Sequence, residues 1–240
     1  MPPSPSRSVE LRALVDAEPS TSGTSGSRAS QLHRLCGVLL RVVPASAAGL
    51  TVAVGHSVPA VMLAGVGPRA EELEELQLTV GEGPCVEVER LGRPVLEADL
   101  VTAGSRRWPA YGPAAGQLGA AAVFAFPLQV GATHLGVLDV YQSCAGELSN
   151  RALQDCLLLA DIARNVLLED WDRADESEID PQWDEVLPTP ELFQAQGMVM
   201  IQLGASPIDA LARIRAHAYA NGERIGDVAR EIVDGRLALE

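Results

Sequence analysis

The feature that most constrains the fold is a pair of apolar stretches in the middle of the chain, residues 121–131 (AAVFAFPLQVG) and 133–142 (THLGVLDVYQ). Both stretches are rich in Val, Phe and Leu, and a short Gly-Ala turn separates them, a pattern typical of a β-hairpin. A hairpin pairs its two strands in opposite directions. The sequence therefore predicts an antiparallel sheet.

The segments around this hairpin alternate between helical and strand patterns. Apolar residues recur at helical spacing in residues 30–43, and Ser149 is a candidate N-cap for a long helix that ends near residue 171. Between them the sequence predicts two strands, at 48–55 and 58–67, joined at a Gly55–Ser57 turn. An exposed charged helix at 69–78, a short helix at 84–92, a third strand at 94–100 and a Gly-broken helix or loop at 108–119 follow. This order indicates an α+β fold, an antiparallel sheet with helices to one side.

Composition and charge divide the chain into four parts. Residues 1–28 are rich in Pro, Ser, Thr and Gly and are predicted to be a disordered tail, with at most a short helical stretch at VELRALVDA (9–17). A folded domain is predicted over 29–168. Residues 169–190 hold nine acidic residues and one Arg, which indicates an acidic linker, whereas 191–240 hold seven acidic residues and five Arg. The net charge of −14 argues against non-specific attraction to nucleic acid or an anionic membrane.

Several classes of protein are not expected from this sequence. It has no apolar run long enough to span a bilayer and no signal-peptide core near its start, so a cytoplasmic protein without a membrane partner is expected. Cys36, Cys85, Cys144 and Cys156 lack Cys-x-x-Cys spacing, which argues against a zinc knuckle or a disulfide framework. No phosphate-binding loop, metal-ligand helix or nucleophile elbow occurs, so no catalytic residue, metal or cofactor is predicted.

Four motifs in the predicted folded domain resemble a known family. They are GEGPC (81–85), GRPVLEADL (92–100), Trp108-Pro109 and FAFPLQVGATHLGVLDVY (124–141), and together they resemble a GAF domain of the actinobacterial type. The resemblance implies a PAS-like sensor fold, in which helices flank an antiparallel sheet, and dimerisation through the first and last helices. It also implies a small-molecule or protein signal, whose identity stays open.

Cys85 and His134 are the candidate ligand-binding residues of this domain. Cys85 lies where a Gly-Pro turn leads into a helix, so the helix dipole is expected to lower the pKa of the thiol and favour the thiolate. A rival hypothesis is a redox enzyme, because free-methionine-sulfoxide reductases are GAF-fold enzymes with a Cys in a similar Gly-rich turn. Such an enzyme needs a second, resolving Cys, and here that Cys would have to be Cys144. We therefore expect a regulator and not an enzyme.

The last fifty residues predict three short helices joined by tight turns. The first ends at Gly204, Ser206 is an N-cap for the second with Pro207 at its first position, and Asn221-Gly222 ends the second. Apolar residues at helical spacing in the second and third helices are predicted to face inward: Ile208, Leu211, Ile214, Ala218, Ile225, Val228, Ala229 and Ile232. The sequence therefore predicts a small all-α bundle.

The order of residues in this bundle resembles a second family. Residues 195–233 contain Ala-x-Gly, an apolar run with two Met, Gly then Ser, an Ala-Leu-x-x-Ile-Arg second helix, an Asn turn and a Val-Ala third helix. This pattern resembles the ANTAR domain, a three-helix RNA-binding module of transcription antiterminators. The resemblance implies binding to paired hairpins of a nascent leader RNA, which prevents transcription termination, and a homodimer that presents two such domains.

The candidate RNA-binding residues form a cluster of cations and one aromatic. RNA hairpin loops are recognised by stacking, Arg planes and base-edge hydrogen bonds, so a nearly neutral domain can bind them. Gln196 is a candidate because ANTAR sequences often carry Lys at this position. If that Lys contacts an RNA phosphate in those proteins, this chain lacks the contact. The other candidates lie on or after the second tail helix: Arg213, Arg215, His217, Tyr219, Asn221 and Arg224. Two alternatives remain open, a merely solvated helix face and a tail that binds a protein partner.

Overall fold

The computed structural model describes residues 5–19, 28–52, 61–171 and 190–239. The predicted turn at Gly55–Ser57 and most of the predicted acidic linker lie outside these ranges. Within them, no helix combines the length and the apolar character that crossing a membrane requires.

Five strands in the described part of the chain form one antiparallel sheet with the order β2-β1-β5-β4-β3. The predicted hairpin is confirmed, because β4 pairs with β5 from Ala122–Gln142 to Val130–Thr133. The strand bounds are β1 Ala47–Val52, β2 Val61–Val66, β3 Val95–Glu97, β4 Ala122–Val130 and β5 Thr133–Gln142.

Helices cover both faces of this sheet. Helices α2 and α7 pack on one face, with α1 packed against both, and α3 and α4 pack on the other, with α6 beside α3. The prediction of helices to one side is wrong, because Phe124 and Phe126 face one core while Val123 and Ala125 face the other, and each apolar face must be covered. The helix bounds are α1 Pro5–Ala17, α2 Arg28–Val42, α3 Ala70–Val80, α4 Pro84–Leu91, α5 Ser105–Arg107, α6 Tyr111–Gln117 and α7 Asn150–Trp171, with a π-helical turn at Leu100–Gly104 before α5.

The helical stretch allowed at residues 9–17 belongs to α1, which begins four residues earlier at Pro5, so the predicted disorder is wrong for residues 5–8. Leu11 and Val15 lie one helical turn apart, are fully buried, and belong to the core that α1 shares with α2 and α7. Arg7 donates to both carboxylate oxygens of Asp155 on α7, at 2.9 and 2.7 Å. A short apolar stripe was therefore enough to fold this segment, although its flanks have the composition of a disordered chain.

The tail, residues 190–239, consists of α8 Pro190–Leu203, α9 Pro207–Asn221 and α10 Ile225–Val233 around a core of its own. Gly204 and Gly222 have positive φ at the predicted helix ends, and Ser206 Oγ accepts from the Asp209 amide at 3.2 Å. Ile208 is the exception among the residues predicted to face inward, since it is 59% exposed. It lies about 100° around α9 from the middle of the buried stripe.

Candidate ligand site and candidate nucleic-acid interface

The polar centre of the N-terminal domain, residues 5–171, lies between α3 and the sheet. Helix α3 was predicted to be charged and exposed, but Leu73, Glu74 and Gln77 are buried on one side of it. Spacings of three and four residues place these side chains on a single helical face. That face meets β1 so closely that a Cβ at Gly49 would clash with the Glu74 carboxylate.

Hydrogen bonds link α3, α4 and β5 in this centre. The Gln77 amide donates to Asp139 Oδ2 at 3.1 Å and to the Tyr141 hydroxyl at 3.0 Å, and its oxygen accepts from the Cys85 backbone amide at 2.7 Å. The Tyr141 hydroxyl donates to Glu74 Oε1 at 2.8 Å. We call Glu74, Gln77, Cys85, Asp139 and Tyr141 the polar cluster.

Two carboxyl groups of the polar cluster, Glu74 and Asp139, interact directly and are both buried. Burial raises the pKa of Asp139 to about 7. Burial also raises the pKa of Glu74 well above its usual range, and the charge of Asp139 raises it further. Since two adjacent buried charges are costly, the pair retains a proton at neutral pH. The polar cluster can thus accept or release a proton in response to a bound group.

Cys85 is placed in this cluster as a thiol and not as a thiolate. It lies two residues after Gly83, the N-cap of α4, which turns the chain into the helix with a φ of 131°. The Cys85 Sγ lies 3.4 Å from Thr51 Oγ1. Burial, and the nearby charges of Asp139 and Glu74, raise the pKa of Cys85 well above its usual range. The expected thiolate is therefore wrong, because desolvation and two carboxyl groups outweigh the helix dipole.

Cys144 does not pair with Cys85 in this structure; both are free. Cys85 contacts Thr51, which pairs with Val137 of β5. Strand β5 continues for five more residues to Gln142, roughly 17 Å along the strand, before Cys144 follows on the surface. This arrangement does not support a disulfide relay between the two thiols.

His134 lies apart from the polar cluster. It is half-buried at the end of the β4–β5 hairpin, opposite Gln129, and packs beside Gly92 at the C-terminal end of α4. Cys85 lies at the other end of that helix, whose eight residues span roughly 12 Å. The two predicted ligand residues are therefore not brought together. No group of His, Cys, Asp and Glu suited to a metal ion occurs in the described ranges.

Gln196 has a structural role in the tail. It is 5% exposed, and its amide donates to the Pro207 carbonyl at 2.7 Å, which ties α8 to the start of α9. In this conformation the Gln196 amide is engaged by backbone and is not available to a ligand.

The predicted RNA-binding residues of α9 lie on two sides of the helix. Arg213 and His217 flank one edge of the buried stripe, and Arg215 and Tyr219 flank the other, roughly opposite. Tyr219 is 61% exposed, whereas His217 is half-buried with its Nε2 3.9 Å from Glu223 Oε2. Asn221 closes the helix, since its amide donates to the His217 carbonyl at 2.8 Å. The single cluster predicted from spacing is therefore divided.

Arg215 and Arg224 face the N-terminal domain. Arg215 Nε donates to the Leu78 carbonyl of α3 at 2.7 Å, and the Arg224 guanidinium is ion-paired with Glu75 of α3. Burial lowers the pKa of Arg215, although a guanidinium remains charged at any ordinary pH. In this structure, two of the residues predicted to contact RNA contact the N-terminal domain instead.

Glu74, Gln77 and Asp139 are site residues that no sequence motif marks. One observation could have indicated them. Asp139 is the single charged residue in the apolar run LGVLDVY, and a charge within a buried strand needs a buried partner. Its partners are on α3, whose many Glu residues made the whole helix look solvated.

No family model matches the chain, and no curated protein matches it. Among solved structures it is similar to the GAF domain of a phosphoenolpyruvate-protein phosphotransferase from Coxiella burnetii, with a TM-score of 0.55 and 19% identity over 71% of this chain and 96% of that chain. The corresponding GAF domain from Acinetobacter gives 0.53 and 15% identity over 72% and 100% of the two chains. The free methionine-R-sulfoxide reductase from Neisseria meningitidis, in complex with its substrate, gives 0.50 and 16% identity over 72% and 98%.

At these identities the likeness establishes the fold alone, and the N-terminal domain has a GAF-like fold. One of the three similar structures is an enzyme. The fold therefore does not distinguish a sensor from an enzyme, and function has to be argued from the residues.

Proposed function

We propose that this chain is a signal-responsive regulator whose tail binds hairpins of a nascent leader RNA and prevents transcription termination. The observation that carries this proposal is the surface of α9. Tyr219 is a largely exposed aromatic side chain with Arg215 one turn before it, on a helical unit whose sequence pattern resembles an ANTAR domain. An exposed aromatic beside a guanidinium is a stacking surface for unpaired bases.

The regulator acts by occupancy and not by catalysis. A tail that holds an antiterminator hairpin prevents the competing terminator hairpin from forming, because the two RNA structures share nucleotides and binding shifts their equilibrium. Proteins of the ANTAR family, which the tail resembles, bind two hairpin loops, so the active form is proposed to be a homodimer with two tails. In this structure α1 packs on both α2 and α7, the helices that the resemblance assigns to dimerisation.

The polar cluster is the proposed site of the signal in the N-terminal domain. Among the described residues, the buried oxygens Glu74 Oε2 and Asp139 Oδ1 accept no hydrogen bond from an N–H or hydroxyl group of the protein. A polar or cationic small molecule would satisfy these oxygens and change the proton content of the carboxyl pair. Cys85 belongs to this site, and His134 lies outside it.

The proposal is tested by selection from a pool of RNAs that carry two stem-loops with randomised loops, using the full-length protein. Enrichment of a particular loop sequence is expected, and Tyr219→Ala should weaken binding of the selected RNA by roughly tenfold or more, since one base stack contributes about 1–3 kcal/mol. Ile208→Ala is the matched control, because Ile208 is 59% exposed on the same helix. A pool without any enriched loop contradicts the RNA proposal.

If the tail binds a protein instead, no loop is enriched while the tail retains its fold. The enzyme alternative predicts that the protein, supplied with a dithiol reductant, reduces free methionine sulfoxide to methionine and water with formation of a disulfide. Cys85→Ser would abolish that turnover. The raised pKa of Cys85 and the remote position of Cys144 favour the regulator.

A further inference from the structure

Helix α3 has two functional faces. Its inner face carries Glu74 and Gln77 into the polar cluster, and its outer face, at Glu75 and Leu78, meets the tail. The Leu78 side chain packs against the apolar core of the tail. Because these inner and outer residues lie within five consecutive positions of one helix, the helix cannot move on one side without moving on the other.

The tail caps the C-terminal end of α3. The last carbonyls of a helix lack partners within it, and Leu78 O is one of them. Arg215 Nε supplies the missing donor at 2.7 Å. A cation at this end of the helix also interacts favourably with the helix dipole. Gly81, the C-cap of α3, lies beside the same guanidinium, since a Cβ added at Gly81 would be 3.6 Å from Arg215 Nη1.

In return, α3 caps the N-terminal end of α10. The N-cap of α10 is Arg224, whose own side chain makes no capping hydrogen bond. Glu75 fills that role from the other domain, because its Oε1 accepts from the Gly226 amide at 3.2 Å and its Oε2 pairs with the Arg224 guanidinium. A carboxylate at a helix N-terminus is stabilised by the unpaired amides and by the dipole.

We infer that the outer face of α3 is a docking surface for the RNA-binding side of the tail, and that docking and RNA binding exclude each other. This inference rests on the proposed function. Two of the predicted RNA contacts, Arg215 and Arg224, are the residues engaged by α3. A bound signal that repositions Glu74 or Gln77 shifts Glu75 and Leu78 with them and releases the tail.

Exclusion has a quantitative consequence for RNA affinity. When only the undocked fraction of the protein can bind, the apparent dissociation constant is the intrinsic value divided by that fraction. Weakening the docking contact therefore strengthens RNA binding until the tail is fully undocked, without any new contact to RNA.

The test compares Glu75→Ala with Glu71→Ala in the full chain. Glu71 is exposed on the same helix and carries the same charge, so it controls for both helix propensity and the loss of one negative charge. Docking is measured without RNA by NMR hydrogen exchange of the Gly226 amide, with the amides of β4 and β5 as the internal control of folding. RNA affinity is measured with the RNA selected by the wild-type protein.

Glu75→Ala is expected to speed Gly226 exchange by on the order of tenfold and to raise RNA affinity about three- to tenfold. Glu71→Ala should change neither quantity. Arg215→Ala removes the other cap, so it should also speed Gly226 exchange, yet it should lower RNA affinity because Arg215 is a predicted RNA contact.

The outcomes separate this inference from the proposed function. Faster exchange with unchanged affinity for an RNA that the wild-type protein binds overturns the exclusion and leaves RNA binding in place. Unchanged Gly226 exchange in Glu75→Ala overturns the docking surface. Absence of RNA binding in every variant, including those whose Gly226 exchange has accelerated, overturns the proposed function and with it the exclusion.

Discussion

At the scale of single residues, the most consequential feature is the buried carboxyl pair of Glu74 and Asp139. Burial raises both pKa values, and Gln77 and Tyr141 orient the pair by hydrogen bonds. The two oxygens without an ordinary hydrogen bond make the pair a costly element of the fold. Such a cost is common at sites that bind a ligand, where local stability is given up for function.

The pair predicts how stability depends on pH. The pKa of Asp139 is higher in the folded chain, about 7, than in the unfolded chain, so the folded state binds more protons between the two values. The free energy of unfolding should therefore fall as pH rises through this window and level off above it. Asp139→Asn should flatten the dependence, by roughly 2 kcal/mol between about pH 5 and pH 8. Urea unfolding at a series of pH values measures this, and an equally steep profile in the variant would contradict it.

Gln196 gives a second prediction at this scale. Its amide is buried and bonded to the Pro207 carbonyl, so Gln196→Ala should destabilise the tail by about 1–2 kcal/mol. Binding of RNA by the remaining folded protein should not change. Hydrogen exchange of α8 and α9 measures the first effect, and titration with the selected RNA measures the second. A large loss of RNA affinity at full stability would instead establish Gln196 as an RNA contact.

At the scale of elements, the structure differs from the predictions where a segment's surroundings outweigh its composition. Helix α1 folds within a segment of disordered composition because Leu11 and Val15 reach the core of α2 and α7. Helix α3 has the sequence of a solvated helix, yet one face is buried against the sheet and another against the tail. Helix α9 carries its predicted contacts on two sides, and Arg215 on one of them contacts α3.

Helix α1 provides a test with an internal control. Leu11→Ala should lower the free energy of unfolding by about 2–4 kcal/mol, because it leaves a cavity between three helices. Val9→Ala, at a position 69% exposed on the same helix, should change it by less than about 0.5 kcal/mol. Urea unfolding of both variants is the measurement. Equal and negligible effects would mean that α1 does not pack in solution.

At the scale of the whole molecule, charge is unevenly placed. The chain carries a net charge of −14, whereas residues 191–240 hold seven acidic residues and five Arg. The proposed RNA binding therefore cannot depend on a broad basic surface. It has to depend on a few guanidinium groups and on stacking.

This placement predicts a shallow dependence of RNA affinity on salt. Three phosphate contacts, from Arg213, Arg215 and Arg224, give a slope of about −2 in log affinity against log salt, at about 0.7 per contact for single-stranded RNA. Titrations of the selected RNA across salt concentrations measure the slope. A slope of about −6 or steeper would require a basic surface that the described chain does not present.

The sequence by itself determined the elements and most of their ends, because these depend on local chemistry. Alternation and turn residues predicted the hairpin, Gly92 and Gly204 the helix ends, and Ser206 the cap of α9. Only the tertiary structure decided the contacts between distant segments. Arg7 meets Asp155 across 148 residues, and Glu75 meets Gly226 across 151. Each of these charges would have been equally satisfied by water in an extended chain, and packing of apolar faces elsewhere brought the partners together.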